Sequence, residues 1–172
     1  MSYNPEIPRN RYDNYGDREW TRLERDAHGE LLYHVHSDIL KRYIKQSDSV
    51  FEIGAGSGRY TKDIVKMCKK LTVADISSHQ VEFNKAKMKE LGLYDRIEDF
   101  HILDVVNMST IESEAFDCVV CVGGVINYLL DKEQDGIEEM LRVLKPGGTL
   151  LLGSMSFIGA SLFYLDGIRY EK

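Results

Sequence analysis

The stretch Ser49–Val65, "SVFEIGAGSGRYTKDIV", decides how the rest of the chain is read. Apolar residues and one acid, Glu52, lead into three glycines at alternate positions, Gly54, Gly56 and Gly58. A helical pattern then begins near Arg59. Glycine accepts positive φ and lets a backbone approach a ligand closely. A helix that starts just after it offers free N–H groups and a positive dipole end to an anion. The spacing therefore predicts a strand–turn–helix unit built to hold a ligand.

Outward from this turn, strand-like and helix-like runs alternate. We expect strands at 49–54, 71–75, 96–104, 116–124 and 149–155. We expect helices at 59–70, with Tyr60, Ile64 and Cys68 inward, at 77–92, with a serine cap and a Gly92 stop, and at 135–148. Such alternation means parallel βαβ units in a sheet covered on both faces, with right-handed crossovers. Before it, residues 1–16 are polar and read as irregular, and 17–29 as a charged helix. In 30–45 the residues Leu31, Leu32, Val35, Ile39, Tyr43 and Ile44 share one helical face, expected to face the core.

In a doubly wound sheet, ligands sit beyond the carboxyl ends of the strands. Gly54, Ala55, Gly56 and Gly58 lie there. Asp75 ends the second strand, 21 residues after Gly54, where a carboxylate can accept from both hydroxyls of a ribose. A dinucleotide fingerprint places its third glycine three residues after the second; that position is Arg59, and the glycine comes one residue early. Glu52, if it points into the site, repels a pyrophosphate and attracts an amino group. A ligand with adenosine, an ammonium and a carboxylate fits best: S-adenosylmethionine.

At this point the chain resembles the class I S-adenosylmethionine-dependent methyltransferases. "FEIGAGSGRY" is similar to their first motif, "LTVADIS" to the second, "FHILDV" to the third, "FDCVVCVGGVINYLLD" to the fourth, and "EEMLRVLKPGGTLLLG" to the element after it. The resemblance covers about residues 45–155 and leans toward the small-molecule methylases of ubiquinone biosynthesis. It implies a Rossmann-like α/β fold with strand order 3-2-1-4-5. It places Glu52 near the methionyl end and Asp75 on the ribose, with Ile76 packed on the adenine. Asp104 would accept from the adenine amino group, and Val105 would supply a backbone N–H. Cys121, Val122 and Gly123 would line the cofactor, and Asn127 and Tyr128 would face the methyl or the substrate. No catalytic base stands out. Family members normally continue to two further strands, and 17 residues follow Met155 here; the last two strands are therefore expected to be missing.

The expected organisation is an arm with helices over residues 1–46, acting as a cofactor lid, and a binding core over 47–172. Tyr12, Tyr15 and Trp20 are candidates for lid or staple, and Arg59 for a first-turn surface residue. Cys118 and Cys121 lie three apart in a strand, so they point to opposite faces and read as core. His28, His34 and His36 complete no metal-ligand spacing, and no metal site is expected. The net charge of −6 argues against a general phosphate-binding surface, and the fourth motif lacks the Asn/Asp-Pro-Pro-aromatic run of amino-group methylases acting on DNA. The partner is thus expected to be a small molecule, not nucleic acid. The polar N-terminus and the absence of an 18-residue apolar run read as a cytoplasmic protein without a membrane span. The apolar tail 156–172 is expected to meet a second copy beside the fifth strand, giving a homodimer. Two rivals remain: a protein that binds S-adenosylmethionine without catalysis, and a nicotinamide-nucleotide domain.

Overall fold

The computed structural model describes residues 2–156, 158 and 159. Five strands form one parallel sheet: β1 (Ser49–Ile53), β2 (Lys70–Asp75), β3 (Ile97–Ile102), β4 (Phe116–Cys121) and β5 (Leu144–Leu152). Their order is β3-β2-β1-β4-β5, as expected. The order reverses between β1 and its neighbour β4, so the crevice beside β1 opens at the carboxyl ends of β1 and β4.

Helices flank the sheet: α1 (Glu6–Tyr15), α2 (Arg18–Thr21), α3 (Ala27–Tyr43), α4 (Thr61–Met67), α5 (Ser78–Glu90) and α6 (Glu133–Val143). Leu40 of α3 and Ile64 and Val65 of α4 pack with Val50, Leu71, Val73 and Val120 on one face. Met140 and Val143 of α6 pack with Phe51, Val119 and Phe116 on the other, where the Phe51 and Phe116 rings stack at 4.7 Å. Each such fully buried side chain is worth roughly 1.5–3 kcal/mol of transfer free energy. Cys118 and Cys121 fall in the two opposite clusters, as their spacing requires.

Three expectations are corrected. Residues 6–15 form a helix rather than an irregular arm. Pro5 stands at its N-cap and Pro8 in its first turn, where a missing N–H costs nothing, and Asn4 Oδ1 accepts from Glu6 N–H at 3.0 Å. The expected core face of α3 holds only in part: Leu32 and Ile44 pack on the core, but Leu31, Val35, Ile39 and Tyr43 are exposed. α3 instead buries Gly29, Ser37 and Leu40. A β-carbon on Gly29 would come within 3.0–3.1 Å of the Arg22–Leu23 backbone, so close approach rather than side-chain size sets the rotation. Finally, α6 stops at Val143, and β5 begins at Leu144 rather than at 149. The Lys145–Gly148 segment is taken up as a register shift against β4, where Phe116 pairs with Leu144 but Cys118 with Thr149.

β5 is an edge strand among the described residues. The apolar tail beyond Gly159, and the dimer contact assigned to it, lie outside the described residues.

Candidate active site

A cavity with about 880 Å³ of empty space, counting the part open to solvent, sits over the strand ends. Its floor is the crevice predicted from sequence. Gly54, Ala55, Gly56, Asp75, Ile76, Asp104, Val105, Val122 and Gly123 all line it.

The glycine turn is held by its neighbours. Gly54 has φ +68°, and a β-carbon there would lie 2.2 Å from Val125 Cγ2. Gly58 has φ +93°, and its β-carbon would lie 2.5 Å from Asn84 Oδ1. Gly58 thus lies against α5 rather than on the cavity wall. Asp75 ties the floor together. Its Oδ2 accepts from Gly56 N–H at 2.8 Å and its Oδ1 from Ser77 N–H at 2.9 Å. Burial outweighs those bonds and lifts its pKa to about 6. Each oxygen keeps a lone pair for a further donor. Asp104 follows β3; its Oδ1 accepts from Val106 N–H at 3.1 Å.

Besides Gly58, two other residues expected at the cofactor lie off the cavity wall. Glu52 does not line the cavity. It is 2% exposed and lies beneath the turn, where its Oε2 accepts from Thr61 Oγ1 at 2.6 Å. Asn84 Nδ2 in turn donates to that hydroxyl at 3.0 Å. Burial raises Glu52 to about 8, with Thr61 opposing the shift, so near neutral pH it is a protonated strut. Alternation explains this: Ile53 faces the cavity, so Glu52 must face the other side of the sheet. Cys121 is fully buried among core residues, its thiol pushed up to about 12 by burial; Val122, one residue on, is the one on the wall.

The roof comes from the N-terminal helices. Tyr3, Pro8, Tyr12, Glu19, Arg22 and Leu23 line the cavity from above. Tyr3 Oη donates to Asp104 Oδ2 at 2.9 Å, and Tyr3 N–H to Asp131 Oδ1 at 2.7 Å. The Tyr12 and Tyr128 hydroxyls share a hydrogen bond at 3.2 Å. Asp13 Oδ1 accepts from the Ser77 hydroxyl and from His79 N–H, and Gln80 Nε2 donates to the carbonyls of Tyr12 and Gly16. Of the three aromatics singled out in the arm, Tyr12 faces the cavity. Tyr15 lies under the Arg18 guanidinium, and Trp20 packs on Phe83 and Arg59.

Arg59 is buried, not a surface residue. Its guanidinium lies over the Trp20 and Tyr33 rings at 4.9 and 5.2 Å and pairs with Glu24 at 2.7 Å. Its Nε is buried without a partner. Tyr60 lines the same end, and its hydroxyl meets His36 Nδ1 at 2.9 Å. Tyr128 lines the cavity as expected, but Asn127 does not. Asn127 is a latch: its Oδ1 accepts from Met155 N–H at 2.8 Å, and its Nδ2 donates to Met155 O at 3.2 Å. Sequence reasoning missed Tyr3, Glu19 and Arg22. The one local signal was the Glu-x-x-Arg spacing of the last two, which puts opposite charges side by side on a helix.

The fold and this cavity define a Rossmann-like nucleoside-binding protein, with an acid after β2, an acid after β3 and a glycine turn after β1. Residues 50–148 match the methyltransferase domain family, so the chain belongs to that family, whose members use S-adenosylmethionine. It is 28% identical over 123 residues to nodulation protein S of Sinorhizobium fredii, covering 69% of this chain and 54% of that one. It is 30% identical over 131 residues to the ubiquinone/menaquinone biosynthesis C-methyltransferase UbiE of Haemophilus ducreyi, covering 71% and 49%. The chain thus spans about half the length of these curated relatives. The structure is similar to the N-methyltransferase NodS of Bradyrhizobium japonicum in complex with S-adenosyl-L-homocysteine. The TM-score is 0.66 at 26% identity, covering 86% of this chain and 71% of that one. A [4+2]-cyclase, SpnF, shares the fold with TM-score 0.73 at 19% identity, covering 87% and 59%.

Proposed function

We propose that this chain binds S-adenosylmethionine in the cavity and transfers its methyl group to a small-molecule acceptor. The observation that carries the reading is the donor set of the floor. Asp75, fixed by Gly56 N–H, stands where a ribose diol needs an acceptor. Asp104 stands where an adenine amino group needs one, and Ile76 and Val105 supply apolar surface between them. The glycine turn is open to the ligand, since a β-carbon on Gly56 would meet only Glu19 of the roof.

Bound S-adenosylmethionine supplies a methyl group already activated on a sulfonium. The protein's share is placement and exclusion of water. The floor fixes the nucleoside, and the roof covers it; holding two reactants in line can account for roughly 7–11 kcal/mol of a barrier. In this reading residues 1–46 are the cofactor lid and 47–172 the binding core, with Tyr12 and Tyr128 bordering the acceptor side. The names of the relatives, a nodulation N-methyltransferase and a quinone C-methyltransferase, support a small acceptor. Calorimetry with S-adenosylhomocysteine and with NAD tests the binding half: micromolar binding of the former, about −8 kcal/mol, is expected, and binding of NAD alone would overturn the reading. Transfer of labelled methyl to amine, phenol and quinol acceptors tests the other half. Binding without transfer to any of them would favour a non-catalytic binding protein.

The same proposal extends to setting and assembly. Three buried free thiols support a reducing cytoplasm. The edge strand β5, with Leu152 39% exposed, supports a homodimer through the β5 side. Light scattering decides this: a monomer at tens of micromolar would remove the dimer.

A further inference from the structure

At the carboxylate assigned above to the adenine amino group, the chain already places a donor of its own. Tyr3 Oη donates to Asp104 Oδ2 at 2.9 Å. The other oxygen, Oδ1, is held by Val106 N–H at 3.1 Å. Oδ2 is therefore the oxygen a ligand would use, and Tyr3 holds it. Tyr3 is half-buried, lines the cavity and packs against the core cluster on that face of the sheet. Burial, with the bond to Asp104 adding to it, pushes the phenol up, so Tyr3 keeps its proton and stays a donor at neutral pH. A flat aromatic ring with one polar hydrogen on Asp104 is the same set of groups that an aminopurine would bring there.

The ties of Tyr3 are separable from those of the rest of the roof. It precedes Pro5, the N-cap of α1, and so lies outside the helix. Its N–H donates to Asp131 Oδ1 at 2.7 Å at the exposed surface, and the Ser2 side chain bonds to the same carboxylate. α1 has anchors of its own. Arg9 Nε donates to Ile76 O at 3.4 Å, Gln80 Nε2 donates to the carbonyls of Tyr12 and Gly16 at 3.1 and 3.0 Å, and the Ser77 hydroxyl donates to Asp13 Oδ1. Residues 2–4 can therefore swing away while α1 keeps its place.

We propose that Tyr3 is an intramolecular stand-in for the base: residues 2–4 form a strap that holds its ring and hydroxyl at Asp104, and the adenine of the cofactor expels it on entry. The strap rests on the S-adenosylmethionine reading above and adds a competitor to it. A ligand that binds only the strap-out state has its apparent affinity reduced by the fraction of molecules in that state. An ordinary lid residue does the reverse: it adds contacts to the bound ligand, and its loss weakens binding. The sign of the effect separates the two.

Calorimetry on the full chain with S-adenosylhomocysteine and with adenosine reads that sign. Tyr3→Ala removes ring and hydroxyl and should tighten both ligands about fivefold or more, by the same factor, because they share the base. Tyr3→Phe keeps the ring and should tighten them by less than about threefold. Asp131→Ala loosens the strap from a position off the cavity wall and should tighten both about twofold. By NMR, the Tyr3 amide should exchange with solvent faster when the chain is saturated with S-adenosylhomocysteine. The Gly16 amide, bonded to Tyr12 O at the end of α1, should not. Weaker or unchanged binding in Tyr3→Ala or Asp131→Ala, or a Tyr3 amide that exchanges more slowly with ligand, would overturn the strap and leave the cofactor reading standing. Wild type and Tyr3→Ala that both bind neither ligand would overturn the cofactor reading with it.

Discussion

The two walls of the cavity are built by different rules. The floor is made of strand ends and short turns, and its polar groups are satisfied within it: Asp75 by Gly56 and Ser77, Asp104 by Val106. The roof is made of two helices tied down by side chains that reach across the molecule, Tyr3 to Asp104, Tyr12 to Tyr128, Asp13 to Ser77. The floor therefore stands on backbone geometry and the roof on separable hydrogen bonds. A floor change should cost the fold or the ligand outright, whereas the loss of any one of these roof ties should cost little.

The largest effect is expected beneath the floor. Glu52 holds a proton in the folded chain up to about pH 8 instead of its usual 4.5. Its folded pKa is raised, so the stability it contributes is full below about pH 4.5 and is lost as pH climbs to about 8, on the order of 3–5 kcal/mol. Glu52→Gln should flatten this part of the stability profile between those limits, which denaturant unfolding at several pH values measures. A variant as steep as wild type would mean that Glu52 is not the buried proton carrier.

Gly54→Ala comes next. It forces a β-carbon to 2.2 Å from Val125 Cγ2 at φ +68°, a clash and a strained backbone together, and should cost about 3 kcal/mol or more. Equilibrium unfolding in urea reads it directly; stability within 1 kcal/mol of wild type would contradict the tight turn. Asp75→Ala should leave a folded chain with at least about tenfold weaker affinity for S-adenosylhomocysteine. Unchanged affinity by calorimetry would reduce Asp75 to a brace for the Gly56 and Ser77 amides. The smallest effect is expected in the roof: Tyr3→Phe removes one hydrogen bond to Asp104 and should lower stability by about 0.5–1.5 kcal/mol. Cofactor affinity should stay within about threefold. A loss comparable to that of Asp75→Ala would erase the difference between the two walls.

That difference also separates what was legible in the sequence from what was not. The floor is written in local spacing: three glycines at a strand–helix turn, an acid 21 residues on, a second acid after the next strand. The misreading of Glu52 comes from the two-residue alternation of a strand, which sends it to the face opposite Ile53, whereas Cys121 ends β4 inside the core cluster. Roof contacts join residues 64 to 128 positions apart, and no short-range pattern encodes such a pairing. α1 hid behind its prolines, although both fall where a helix tolerates them. α3 was read by its apolar stripe, but the Gly29 contact with the Arg22–Leu23 backbone turns that stripe outward. Glycine-mediated close approach outranks side-chain size, and hydrophobic periodicity carries no trace of it.

The most direct test of the whole account is a crystal structure of this chain with S-adenosylhomocysteine. The account predicts the adenine beyond β3 with its amino group on Asp104 and the ribose hydroxyls within hydrogen-bonding distance of Asp75. The amino-acid end should cross the glycine turn. A ligand bound outside this cavity, or one in it with its base over β4 and no contact to Asp75, would contradict it.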